Sequence, residues 1–207
     1  MIDELSTKIT NIIKKNSSPM DPEREEIINY GLNMLLYETF VIAVLILVSI
    51  LIGVLSSAAI LLVTNGILRL FAGGAHARTR LSCAGSYLFI SALLIILSKA
   101  LPSVGFYLSF FILTFELIIL YIYAPGDTLE KPIASKRIRI QMKILSLVSD
   151  FTIFAVAFVI WHYNREMYNM IVLATLPAIF LLTPIGYRLF RCKQSPYTYG
   201  YRTCPDK

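Results

Sequence analysis

The chain has 207 residues, of which 57% are hydrophobic and 15% charged, against about 25% charged in an ordinary soluble domain. A mean hydropathy of +0.69, carried by long uncharged runs, excludes a soluble helical protein, whose helices need water-facing sides. Three cysteines (Cys83, Cys192 and Cys204) exclude a disulfide framework, and the net charge of +6 is distributed as in a membrane protein, with no nucleic acid expected as partner.

Residues 2–15 place Ile2, Leu5, Ile9, Ile12 and Ile13 at helical spacing, with charged residues opposite. This predicts an amphipathic helix at the membrane surface, although a helix packed on a partner segment accounts for the same pattern. Ser17-Ser18-Pro19 ends it. Asp21-Pro22 opens a second helix, with Asp21 as cap, Pro22 in the first turn, and Glu23, Glu25 and Glu26 at the positive helix end. No cleavable signal segment is expected, because polar residues precede the first apolar run and no basic leader stands at the start.

Six apolar stretches follow, at about 32–51, 54–70, 82–99, 104–123, 145–163 and 168–190. Each approaches the ~20 residues that cross a hydrocarbon core of ~30 Å as helix, and a helix satisfies its own backbone groups. The expected fold is an all-α integral membrane protein with about six transmembrane helices and an N-terminal interfacial helix. It is read as one membrane-embedded domain over 1–207, with cytoplasmic or interfacial helices in 1–31 and a flexible cytoplasmic tail in 194–207. If the N-terminus is cytoplasmic, every lysine and arginine except Lys99 and Arg165 falls on the cytoplasmic side. The positive-inside rule therefore predicts N-in, C-in. The uncharged turn Gly53–Ser57 is the weakest boundary.

The junction between the second and third spans, Arg69 to Gly85, carries the candidate chemistry. Cys83 lies seven residues after His76, one of two histidines in the chain. A thiolate needs a base or cation beside it to form at neutral pH, and histidine suits that proton transfer. On one straight helix, seven residues give the same face but about 10.5 Å of axial rise, too far for contact. The segment must therefore bend, and Gly73-Gly74 supplies the freedom to do so. Thr79 or Ser82 can cap the third span. Cys83 would then sit in its first turn, near a positive helix end and N–H groups able to hold an oxyanion. Arg78 and Arg80 add positive charge.

Glu116 and Asp150 lie inside spans four and five, and intramembrane carboxyls are candidates for function. Glu116 could orient His76 or line a substrate path; pairing with Arg69 is the structural alternative. Glu38 sits where it can reach the interface. Between spans four and five, Pro125 and Pro132 rule out one regular helix, and the basic stretch Lys136–Lys143 continues as helix into span five. That stretch reads as a topogenic or lipid-headgroup patch, or as a dock for an acidic peptide. Pro177 and Pro184 predict kinks in the last span. No metal site is expected: His162 falls on the opposite side, and the tail cysteines have no histidine beside them. No phosphate-cradling motif and no internal repeat are present.

The string Gly73-Gly74-Ala75-His76-Ala77 with Cys83 beyond it resembles the AgrB family of membrane endopeptidases. So does Tyr123-Ala124-Pro125 followed by Lys131-Pro132-Ile133 and a basic run. The resemblance covers nearly the whole chain, including its length, its spans, the early His–Cys loop and the later basic loop. It implies a quorum-sensing peptide processor of the cell membrane, with its active site at the cytoplasmic face and no cofactor. Cys83 would cleave an AgrD-like precursor, with His76 as base and then acid. A cysteine or serine in the precursor would take the acyl group from the enzyme thioester, closing a thiolactone or lactone. The resemblance makes Arg69 and Gly74 supporting residues, and it implies a homodimer. Lys131, Lys136 and Arg137 are the candidate docking residues, although the basic loop has fewer consecutive lysines than some members and the Tyr-rich tail is longer. Two other readings compete. A peptide transporter or exporter without covalent chemistry would use Glu116 and Asp150, but lacks paired broken helices. A scaffold contacting membrane lipids would use only the basic loop.

Overall fold

The computed structural model describes residues 2–16, 21–76, 79–102, 104–128, 133 and 135–192. The break predicted at Ser17–Pro19, together with Arg78, Lys131 and the tail, lies outside these. Among the described residues, eight helices follow in chain order: α1 Ile2–Asn16, α2 Pro22–Leu51, α3 Leu55–Ala72, α4 Arg80–Ala100, α5 Phe106–Tyr123, α6 Lys136–Ile160, α7 Arg165–Leu182 and α8 Pro184–Leu189. Six of these are long and apolar enough to cross a membrane: α2 from Arg24, α3, α4 from Leu81, α5, α6 and α7. The protein therefore has an all-α membrane fold, as its apolar runs predict. The chain divides into two compact units, Met1–Gly53 and Val54–Lys207.

The first unit pairs α1 with α2 through a polar seam. Ser6 and Thr10 are buried, and Asn33 Nδ2 donates to Asp3 Oδ1 at 2.6 Å and to Ser6 Oγ at 3.1 Å. Leu5 and Ile12 stay exposed, so one part of the predicted apolar stripe faces away from α2. Asp21 occupies the N-cap position of α2 but makes no side-chain cap bond; Pro22 in the first turn marks the start instead.

In the second unit α7 is the central helix, packed on α3, α4, α5 and α6. Small residues at Ala174 and Ala178 let neighbouring helices approach, and Tyr168, Met170 and Val172 fill the spaces between them. The outward faces carry Phe110, Phe111, Phe115, Val148 and Phe151, which water would disfavour and lipid accepts. The last apolar run, expected as one span over 168–190, is two helices. Pro184 has no N–H and holds Thr183 extended (φ −74°, ψ 156°), so α7 stops at Leu182. The Thr183 hydroxyl then caps α8, accepting from Gly186 N at 3.3 Å. Pro177 is accommodated inside α7, and Asn65 of α3 donates to the nearby Ala174 carbonyl at 3.3 Å.

Candidate active site

The site forms where the C-terminal ends of α3, α5 and α7 meet. Helix α3 stops at Ala72 because Gly73 turns to φ 70° and Gly74 to φ 120°. The freed strand is held on both sides. Gly74 N donates to Gly126 O at 3.1 Å, Gly126 N to Ala72 O at 2.8 Å, and Ala75 N to Leu181 O at 2.8 Å. Side chains are excluded here: a Cβ on Gly73 would collide with the Gly126 carbonyl, and one on Gly74 would lie 3.0 Å from Leu181 O. Both glycines are thus required for conformation and for close approach.

This strand carries His76 off the helix, to an exposed position. Arg69, one turn before the end of α3, reaches back to it. Its Nη1 donates to Ala75 O at 3.2 Å, and its Nη2 lies 3.4 Å from His76 Nδ1 and 3.3 Å from Nε2. A guanidinium only donates, so the ring nitrogen that accepts from it must be unprotonated.

Helix α4 restarts after Thr79, whose Oγ1 accepts from Ser82 N at 3.3 Å. Cys83 is half-buried in the first turn, its own amide donating to Thr79 O at 3.0 Å. The two candidate residues therefore do not share a helix, and the bend falls at the glycine pair, as their spacing demands. At this helix start the Ser82 amide is engaged by Thr79 Oγ1 and the Cys83 amide by Thr79 O, and the first-turn amides before them belong to the positive helix end.

Glu116 stands apart. It is fully buried in α5, and its Oε1 accepts from Thr175 Oγ1 of α7 at 2.8 Å, so its contacts run within the bundle rather than to His76 or Arg69. Lys136 and Arg137 are exposed at the start of α6. Sequence reasoning missed Asp127 and Arg139, which brace the His76 strand from behind. Arg139 Nη2 meets Asp127 Oδ2 at 2.5 Å with both side chains buried. Arg139 Nε donates to Ile133 O at 3.0 Å, Ile133 N to Asp127 Oδ2 at 2.9 Å, and Tyr187 OH of α8 to Asp127 O at 3.1 Å. The available signal was an acid, Asp127, directly after Gly126 and a short distance before a basic run. Among the described residues, no group of three or more His, Cys, Asp or Glu could hold a metal ion.

Comparison with known proteins gives the context. The family model for accessory gene regulator B, AgrB, matches residues 6–182. An AgrB-like protein of Clostridium perfringens strain SM101 is 28% identical over 172 residues, covering 79% of this chain and 80% of that protein. AgrB-like protein 2 of C. perfringens strain 13 is 29% identical with the same coverage. An AgrB-like protein of Clostridium acetobutylicum is 25% identical over 176 residues, covering 84% of this chain and 81% of that protein. No solved structure matches.

Proposed function

Because the chain belongs to the AgrB family, we propose that it is a membrane cysteine endopeptidase that trims a short AgrD-like precursor and closes the remainder into a ring. The observation carrying this reading is the broken α3–α4 junction. It presents His76 beside Arg69 on a braced strand and opens α4 with Cys83 in its first turn.

In this reading the neutral His76 ring takes the Cys83 proton, and the thiolate sulfur attacks the scissile carbonyl. The carbonyl electrons move to oxygen, where the N-terminal amides of α4 stabilise the charge. Collapse breaks the C–N bond; the leaving amine takes its proton from His76, and a thioester remains on Cys83. A cysteine or serine of the precursor attacks that thioester and closes a thiolactone or lactone, and the proton it loses returns through His76 to the Cys83 sulfur. A thiol suits this sequence because it keeps the acyl group activated for exchange. Water must be limited for the same reason, and a site at a membrane edge does so. The distribution of basic residues supports a cytoplasmic location for this face in this reading, with Lys136 and Arg137 available to an acidic precursor segment.

The test is co-expression with a precursor, read by mass spectrometry. Cys83→Ala and His76→Ala should abolish cleavage with membrane insertion unchanged, and a peptide adduct should be trappable on Cys83 only in the protein with both residues. Cleavage that survives Cys83→Ala overturns the mechanism.

A further inference from the structure

The centre of the second unit holds a pair of carboxyls that the peptide chemistry does not use. Glu116 of α5 and Asp150 of α6 are both 0% exposed. The two carboxyls are neighbours, and Thr175 of α7 completes the group. Thr175 Oγ1 donates to Glu116 Oε1 at 2.8 Å and also lies 2.8 Å from Val172 O. Among the described residues, no donor reaches Glu116 Oε2, Asp150 Oδ1 or Asp150 Oδ2. Two neighbouring carboxyls thus sit buried with unpaired acceptors, each of which costs several kcal/mol in an apolar interior.

Charged and titratable groups on the surrounding helices are engaged elsewhere. Arg69 of α3 bonds Ala75 O and His76, and Arg139 of α6 bonds Asp127. Lys143 bonds Tyr121 O, and Arg165 of α7 bonds Leu101 O. Glu166 pairs with Lys99, and Tyr168 with Ser109. Among the described residues, each carboxyl therefore has only the other as its charged neighbour. Two acceptors in contact need a positive species between them, and in a bilayer core neither can turn to water.

We propose that Glu116, Asp150 and Thr175 form a binding site for one small cation, H+ or Na+, bridging the two carboxyls and joining α5, α6 and α7. The chemistry in both cases is a single positive charge shared by carboxyl oxygens. The site stands independently of the peptidase reading, since none of its residues touches Cys83 or His76.

The experiment uses the full chain in lipid nanodiscs, with thermal unfolding followed by intrinsic fluorescence. One arm replaces choline chloride by NaCl at fixed ionic strength; the other raises pH in choline chloride. A Na+ site raises the wild-type midpoint with NaCl by roughly 5–10 °C when Na+ is in about hundredfold excess over its Kd. A shared proton instead gives a midpoint indifferent to NaCl that falls as pH rises. In either case the Glu116→Gln/Asp150→Asn double variant should lose the response, because the amides supply their own donors. Infrared spectra of the wild type give a second readout that does not depend on the variant folding: a protonated-carboxyl carbonyl band for H+, or a Na+-dependent carboxylate shift. A wild-type midpoint indifferent to both ions with neither infrared signal overturns the proposal, as does a response undiminished in the variant.

Discussion

At the scale of single residues, Arg69 does two jobs with one side chain. Its guanidinium fork spans the Ala75 carbonyl and the His76 ring, which a lysine ammonium cannot do from one position. Arg69→Lys should keep the charge yet loosen the imidazole. In the co-expressed precursor assay we expect kcat to fall roughly tenfold to a hundredfold, with KM and thermal midpoint nearly unchanged. A change confined to KM would make Arg69 a substrate contact instead. The His76–Cys83 spacing and the glycine pair were legible in the sequence, because helix geometry forbids contact without a bend and glycine is the residue that permits one. The partner of Glu116 was not legible: its position within a span was clear, but which helix faces it depends on packing that no local pattern encodes.

Among the elements, the loop after α5 is the one whose role changed most. Arg139 looked like another member of a basic run, and its neighbours Lys136 and Arg137 are indeed exposed. The structure turns Arg139 inward to Asp127, where the pair ties this loop and α8 behind the His76 strand. Long-range pairing of this kind has no periodicity, so sequence spacing could not reveal it. Removing one member leaves a buried charge unpaired, so Asp127→Asn should destabilise the protein by about 3–5 kcal/mol. The Asp127→Leu/Arg139→Met pair should recover most of that loss, as read by thermal unfolding in nanodiscs. If the single variant matches the wild type, the clasp has no structural weight. The amphipathic α1 teaches a similar lesson: its apolar stripe was visible, but its packing edge is the polar Ser6–Thr10 side.

For the molecule as a whole, span number and order were legible because bilayer thickness sets a length that few soluble elements match. The last span was not, since a proline can be carried inside a helix, as at Pro177, or stop one, as at Pro184. Six spans return the chain to the side it started from. We therefore expect tags at the two ends to share one face, the cytoplasmic one, when cysteines introduced beside each tag are labelled by impermeant reagent before and after membrane opening. Labels on opposite faces would require an odd number of spans.

The bond from Ala75 N to Leu181 O has a consequence for biosynthesis. The segment bearing His76 is anchored by the last turn of α7, which is translated well after α3 and α4. Early spans can enter the bilayer while that anchor is still being translated. The nascent chain therefore carries His76 and Cys83 before the brace on the His76 segment exists. Synthesis of α7, rather than insertion of the earlier helices, is the event that completes this arrangement.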